Sequence, residues 1–197
     1  MDKQDETTTY WRLDETENAL DYLETAVQAL MEVERNPWAW KRVFINLHGA
    51  LYGFGVCAVT GTDYHRVTKK HKKSGRRFLM SFNEIMTMCQ KDKWMKQRVD
   101  SETLKLTQDQ KEAIDFVKDG LRNPLAHFIP KLLYVETEGL PSTAAHIFDV
   151  IQFLAVESNN VRFHQRSNGQ RRVLALCETG RQLAASIQPP QLDLDVD

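Results

Sequence analysis

The densest set of reactive side chains in the sequence is Leu121-Arg122-Asn123-Pro124-Leu125-Ala126-His127-Phe128. Arginine is a permanent cation whose planar donor fork suits phosphate. Histidine takes or gives a proton near neutral pH, and Asn123 adds donors and an acceptor that can orient an imidazole or bind a phosphate oxygen. A proton shuttle beside a fixed cation is what cleavage of RNA through its ribose 2′-hydroxyl requires, and that route uses no metal. Pro124 lacks a backbone N–H and disfavours helical geometry at the residue before it. The spacing therefore predicts a helix that stops or kinks at Asn123 and restarts with Pro124 in its first turn. A plainer reading stands beside the chemical one. Arg-Asn-Pro is also an ordinary helix stop, and a histidine flanked by Leu, Ala and Phe also suits a hydrogen-bonded core.

A second cluster is cationic. Residues 65–77 hold seven Lys/Arg, two His and no acid. Arg66, Lys69, Lys70, Lys72, Lys73, Arg76 and Arg77 are candidate contacts to an RNA backbone, for which salt-sensitive affinity is the signature; a solvated loop is the alternative. His65 and His71 lack the Cys or carboxylate spacing of a metal site, so no metal and no cofactor is expected. His48 sits inside an apolar run and reads as a core residue with a polar partner. The aromatic residues Trp38, Trp40 and Tyr52 could stack bases, but their helical spacing in that same run reads as core. Walker, Gly-x-Gly-x-x-Gly, Gly-x-Ser-x-Gly and His-Glu-x-x-His patterns do not occur in the sequence, which removes the motif basis for nucleotide hydrolysis, dehydrogenase, serine-hydrolase and zincin chemistry.

The elements that must position these residues read as helices. From Asp14 to about Arg35, Ala19, Leu20, Leu23, Ala26, Val27, Leu30 and Val33 recur at spacings of three and four, the mark of an amphipathic helix. Asn36-Pro37 ends it. From Trp38 to Thr60 almost no polar face remains, so this helix belongs at the centre of a bundle or in a membrane. Asn46 and His48 break the apolar run below the ~20 residues a bilayer span needs, which favours the bundle. Gly49, Gly53 and Cys57 form a smooth stripe along it, suited to close packing by a neighbouring helix. Ser81-Phe82-Asn83-Glu84 has capping-box form, and Thr107-Gln108-Asp109-Gln110 repeats the signal with Gln at its third helical position. Further helices are predicted after Pro141 and from Gly169 to Ile187, with Phe128–Leu140 a loop or short hairpin.

Composition agrees with one globular unit. The 197 residues carry 26 Lys+Arg against 27 Asp+Glu, are 42% apolar, and include only 9 Gly and 6 Pro. That excludes disordered, collagen-like and low-complexity chains. The near-zero net charge also argues against coating nucleic acid by bulk charge. Three widely spaced cysteines, Cys57, Cys89 and Cys177, read as buried thiols in a reducing, cytoplasmic compartment. The polar amino terminus carries no secretory signal. The expected fold is all-α: a single-domain helical bundle of about six helices over residues 14–188. A flexible acidic segment (1–13) precedes it and a disordered acidic tail (189–197) follows.

Arg122-Asn123-Pro124-Leu125-Ala126-His127 resembles the Arg-x(4–6)-His signature of the HEPN superfamily, in its form with Asn after Arg. The apolar helix Trp38–Thr60, the capped helix leading into the motif and His127-Phe128-Ile129-Pro130-Lys131 extend the resemblance to an uncharacterised bacterial HEPN-like group, over roughly residues 14–160. The resemblance implies a helical bundle that forms a homodimer, pairing two copies of the motif in one cleft. It further implies a metal-independent endoribonuclease leaving 2′,3′-cyclic phosphate ends, of the kind found in toxin–antitoxin and phage-defence systems. Arg122 would stabilise the phosphate and its transition state, His127 would serve acid–base chemistry, and Asn123 would support them. Other family members are non-catalytic and bind RNA or a protein partner, an antitoxin among them. That reading remains the alternative.

Overall fold

The computed structural model describes residues 13–126, 135–163 and 168–187. His127 lies outside the described residues. So do residues 128–134 of the expected loop and nearly all of the two expected terminal segments.

Helix α1 spans Glu15–Leu30; Asp14 caps it, accepting from Glu17 N at 2.9 Å, and Glu15 and Glu17 complement the positive end of the helix dipole. It ends five residues before the predicted Arg35. Beyond Leu30 the chain tightens into i→i−3 bonds, such as Glu32 N to Ala29 O at 3.1 Å, before reaching Pro37. Helix α2, Ala39–Thr60, packs antiparallel on α1 and forms the centre of the fold: Phe44, Leu47, Leu51 and Phe54 are fully buried. The glycine stripe explains how close the two helices come. A methyl group on Gly53 would lie 2.7 Å from Ala19 Cβ, and one on Gly49 would lie 2.7 Å from the Tyr22 ring. Both positions leave no room for a side chain. Trp40 is buried and stacks on Phe44, but Trp38 is 84% exposed. The periodicity placed Trp38 in the core; it stands instead at the cap of α2, past the end of the packed bundle. At 22 residues and a mean hydropathy of 1.5, α2 is long and apolar enough to cross a membrane by length and composition. Sixty-one per cent of that apolar window is buried within the protein itself.

After α2 a single 3₁₀ turn (Tyr64–Val67) leads into a two-stranded antiparallel hairpin, β1 (Thr68–Lys70) and β2 (Arg77–Leu79), with Lys69 opposite Phe78. Helix α3 (Phe82–Cys89) follows, then the single-turn α4 (Asp92–Met95) and α5 (Gln108–Asp115). The expected caps form: Glu84 accepts from Ser81 N at 3.0 Å, and Thr107 and Gln110 exchange bonds of 3.1 and 3.2 Å. Helix α5 continues as a π-helical stretch (Phe116–Arg122) into the short α6 (Asn123–Ala126). Helix α7 (Leu140–Gln152), extended by a π-helical turn, and α8 (Gly169–Ser186) complete the bundle. Gly180 of α8 seats directly on the buried Phe148 ring of α7, while Arg172 pairs with Glu24 of α1. The all-α bundle is the expected one; the hairpin and α4 are additions. Burial pushes the three cysteine thiols up to about 12, so they stay protonated packing groups.

Candidate nucleic-acid interface

The π-helical stretch before Asn123 is how the chain accommodates Pro124. In a regular α-helix the proline ring would collide with the carbonyl four residues back, that of Gly120. Widening the turn moves that carbonyl away, and Asn123 N–H bonds to Lys118 O, five residues back. Asn123 keeps right-handed helical dihedrals (φ −65°, ψ −49°). The expected stop or kink is therefore a widened turn through which the helix runs on into α6. Such π-turns occur disproportionately at functional sites.

A chain of hydrogen bonds fixes the side chains on this turn. Arg122 Nη1 donates to Asn123 Oδ1 at 2.9 Å, and Asn123 Nδ2 donates to Asp119 Oδ1 at 3.1 Å. Lys118 Nζ lies 2.9 Å from Asp119 and 3.0 Å from Asp115, and these partners hold its pKa above the usual lysine value. Asn123 thus orients the half-buried guanidinium. His127, expected from the sequence to shuttle protons, is outside the described residues.

His48 of α2, read from the sequence only as a core residue, lies within electrostatic reach of Arg122 because the π-helical stretch packs against α2. His48 is buried, and its ring stacks on Phe82 of α3 at 4.5 Å with Tyr52 at 6.5 Å. Burial, then the positive charges of Arg122 and Lys118, lower its pKa from 6.5 to about 4. His48 is therefore a neutral imidazole at pH 7. Among the described residues it makes ring contacts and no hydrogen bond, so the polar partner expected of it is replaced by aromatic stacking. One turn further along the same face, Tyr52 donates its hydroxyl to Met80 O and so fastens the end of the hairpin to α2. Residues four apart on a helix face sit about 6 Å from one another. The root of the basic hairpin and the Arg122 turn are thus neighbours across His48, Tyr52 and Phe82. Beside them a groove of about 300 Å³ between α3 and α5 is lined by Phe82, Met86, Ile114, Asp115 and Lys118.

The seven candidate RNA-binding cations separate into four groups. Lys70, Lys72, Lys73 and Arg76 stand exposed on the hairpin and make no ion pair among the described residues. Lys69 pairs with Glu84, whose carboxyl is held down to about 2 by bonds from Lys69 and Ser81. Arg77 braces the hairpin, donating from Nε to Thr68 Oγ1 at 2.7 Å and from Nη2 to His65 O at 3.1 Å. Arg66 turns away altogether and donates to Trp94 O at 2.9 Å. Periodicity could not separate these roles, because a charge run carries no record of which side chain folds back on its own hairpin.

No group of three or more His, Cys, Asp or Glu side chains among the described residues is placed to hold a metal ion. Compared with known proteins, the chain matches no protein-family model, no curated protein and no solved structure.

Proposed function

We propose that this chain is a HEPN-type, metal-independent endoribonuclease that works as a homodimer, with Arg122 contacting the scissile phosphate. The observation that carries the reading is the adjacency of two cationic features. The stretch that carries Arg122 packs against α2 within electrostatic reach of His48, and His48 lies one helical turn from Tyr52, which anchors the root of the basic hairpin. An RNA strand gripped along its backbone by Lys70, Lys72, Lys73 and Arg76 would pass a fixed cation and a neutral imidazole.

In the reaction, the ribose 2′-oxygen attacks its own 3′-phosphorus and gives up its proton to a base. The bond from phosphorus to the departing 5′-oxygen breaks, and that oxygen takes a proton from an acid. The products are a 2′,3′-cyclic phosphate and a 5′-hydroxyl. Arg122 neutralises the charge that accumulates on the phosphorane oxygens, a contribution commonly worth ~3–4 kcal/mol. His127 is the proposed proton shuttle. One histidine supplies only one of the two proton transfers at a time, so a twofold dimer near residues 120–130 supplies both acid and base.

The test is incubation of labelled single-stranded RNA with excess EDTA, comparing wild type with Arg122→Ala and His127→Ala. Cleavage by wild type and near-complete loss in both variants supports the reading. RNA that is bound but never cut by wild type shifts the assignment to a non-catalytic RNA-binding module using the same hairpin.

A further inference from the structure

A second cationic feature lies away from Arg122, at the C-terminal end of α2. Thr60 is three turns beyond His48, roughly 18 Å along the helix at 1.5 Å per residue. There Arg66, Lys93, Lys96, Arg98 and Arg162 line a cleft of about 320 Å³ to which, among the described residues, no Asp or Glu side chain contributes. These cations come from separate parts of the fold: the 3₁₀ turn, α4, the loop behind α4 and the segment after α7. A local charge run does not account for their convergence. Folding brings like charges together here against their mutual repulsion.

The cations are also held in place. Arg66 donates to Trp94 O, and its guanidinium lies 5.4 Å from the Trp94 ring centroid, with Lys93 Nζ at 5.3 Å from the same centroid. Arg98 donates to Asn159 O at 3.3 Å. The floor is rigid: buried Asn160 donates to Met95 O at 2.8 Å and accepts from Ser101 Oγ at 2.7 Å. Of the five cations, Lys96 alone forms an ion pair among the described residues, with Glu102 at 3.1 Å.

Gly61, Asn160 and Arg162 are shared with an adjoining chamber of about 490 Å³. Its walls are of a different character. Val56, Cys57, Val67 and Leu79 give them an apolar character, the Tyr64 ring stands 60% exposed, and Asp14 and Glu15 also contribute to the lining. Cationic and apolar compartments that share a wall, with acids lining only the second, fix the polarity of anything bound. A phosphate is drawn to the cationic compartment, whose lining carries no acid among the described residues. Both volumes lie in the ordinary range for small-ligand sites.

We propose that this bipartite cleft is a binding site for a small phosphorylated molecule, with its phosphate among Arg66, Lys93, Arg98 and Arg162 and its apolar or aromatic body in the adjoining chamber against Tyr64. A nucleoside phosphate has this chemistry. Compartments of this size match a mononucleotide-sized ligand, rather than a length of continuous strand.

The experiment is calorimetric titration of the full chain with AMP, ATP, adenosine, pyrophosphate and a 5′-phosphorylated RNA oligonucleotide. Wild type is compared with Lys93→Ala, Arg162→Ala and Tyr64→Ala, all at exposed positions, and with Arg122→Ala. The proposal expects AMP or ATP to bind, adenosine not to bind, and pyrophosphate to bind more weakly than ATP. Lys93→Ala and Arg162→Ala should each weaken ATP binding about tenfold or more, as loss of a charge-assisted contact implies. Tyr64→Ala should weaken ATP but not pyrophosphate. Arg122→Ala should leave ATP affinity unchanged, so that this site and the proposed RNA-cleaving site fail or stand separately. Absence of binding by every phosphate compound, or ATP affinity indifferent to Lys93 and Arg162, overturns the proposal. Binding of the oligonucleotide alone, lost in Arg162→Ala, also overturns it by assigning the phosphate to an RNA end.

Discussion

Replacing His48 with Gln removes a group whose titration ties the stability of the protein to pH. The folded-state pKa is about 4 against 6.5 for a free imidazole, so between these values the unfolded chain binds a proton that the native protein refuses. Stability rises with pH wherever the unfolded state binds more protons. The contribution is fully present above pH 6.5 and is lost as pH falls toward 4. Each pKa unit is worth 1.36 kcal/mol, so wild type should lose about 2.5 kcal/mol from this group between about pH 7.5 and about pH 4.5. His48→Gln has no such proton to refuse. Urea unfolding at a series of pH values, with m-values checked for constancy, reads the difference directly. The stability gap between the two proteins should change by about 2.5 kcal/mol across that window, in favour of the variant at the acid end. Parallel profiles would show that His48 is not held neutral and would refute its burial in the core.

Other expected outcomes follow from single contacts. Gly180→Ala places a methyl group into the fully buried Phe148 ring; overpacking should cost about 1–3 kcal/mol in urea unfolding, despite the better helix propensity of alanine. Asn160→Ala leaves Met95 O and the Ser101 hydroxyl without their buried partner and should lower stability by about 2–4 kcal/mol, measured the same way. Lys72→Glu with Lys73→Glu, both exposed on the hairpin, should weaken RNA binding and flatten the slope of log affinity against log salt, while circular dichroism and the unfolding midpoint stay unchanged.

Capping residues made the helix starts legible in the sequence, because Ser81, Glu84, Thr107 and Gln110 satisfy exposed N–H groups by local bonds that need no tertiary partner. The glycine stripe on α2 was legible as a close-packing surface, although nothing in the sequence identified Ala19 and Tyr22 as its occupants. Three features were not legible. The π-helical turn depends on how a helix absorbs Pro124, and both a break and a widening satisfy the local rule. The exposure of Trp38 depends on where the bundle ends, which periodicity does not encode. The electrostatic coupling of His48 to Arg122 is tertiary: two residues far apart in sequence come within reach of each other because α2 packs against the π-helical stretch. The adjacency of Arg122 and Asn123 was visible in the sequence, but the hydrogen bond between their side chains is seen only in the fold.

The central claim is that Arg122 stabilises the phosphorane formed when a ribose hydroxyl attacks its neighbouring phosphate. Mass spectrometry of RNA ends tests it most directly, after incubation in EDTA with wild type and with Arg122→Ala at matched concentration. The account predicts fragments ending in 2′,3′-cyclic phosphate and 5′-hydroxyl from wild type, and a loss of about two orders of magnitude or more in their yield from the variant. Intact RNA with wild type, or the same cyclic ends at the same rate from Arg122→Ala, would contradict it.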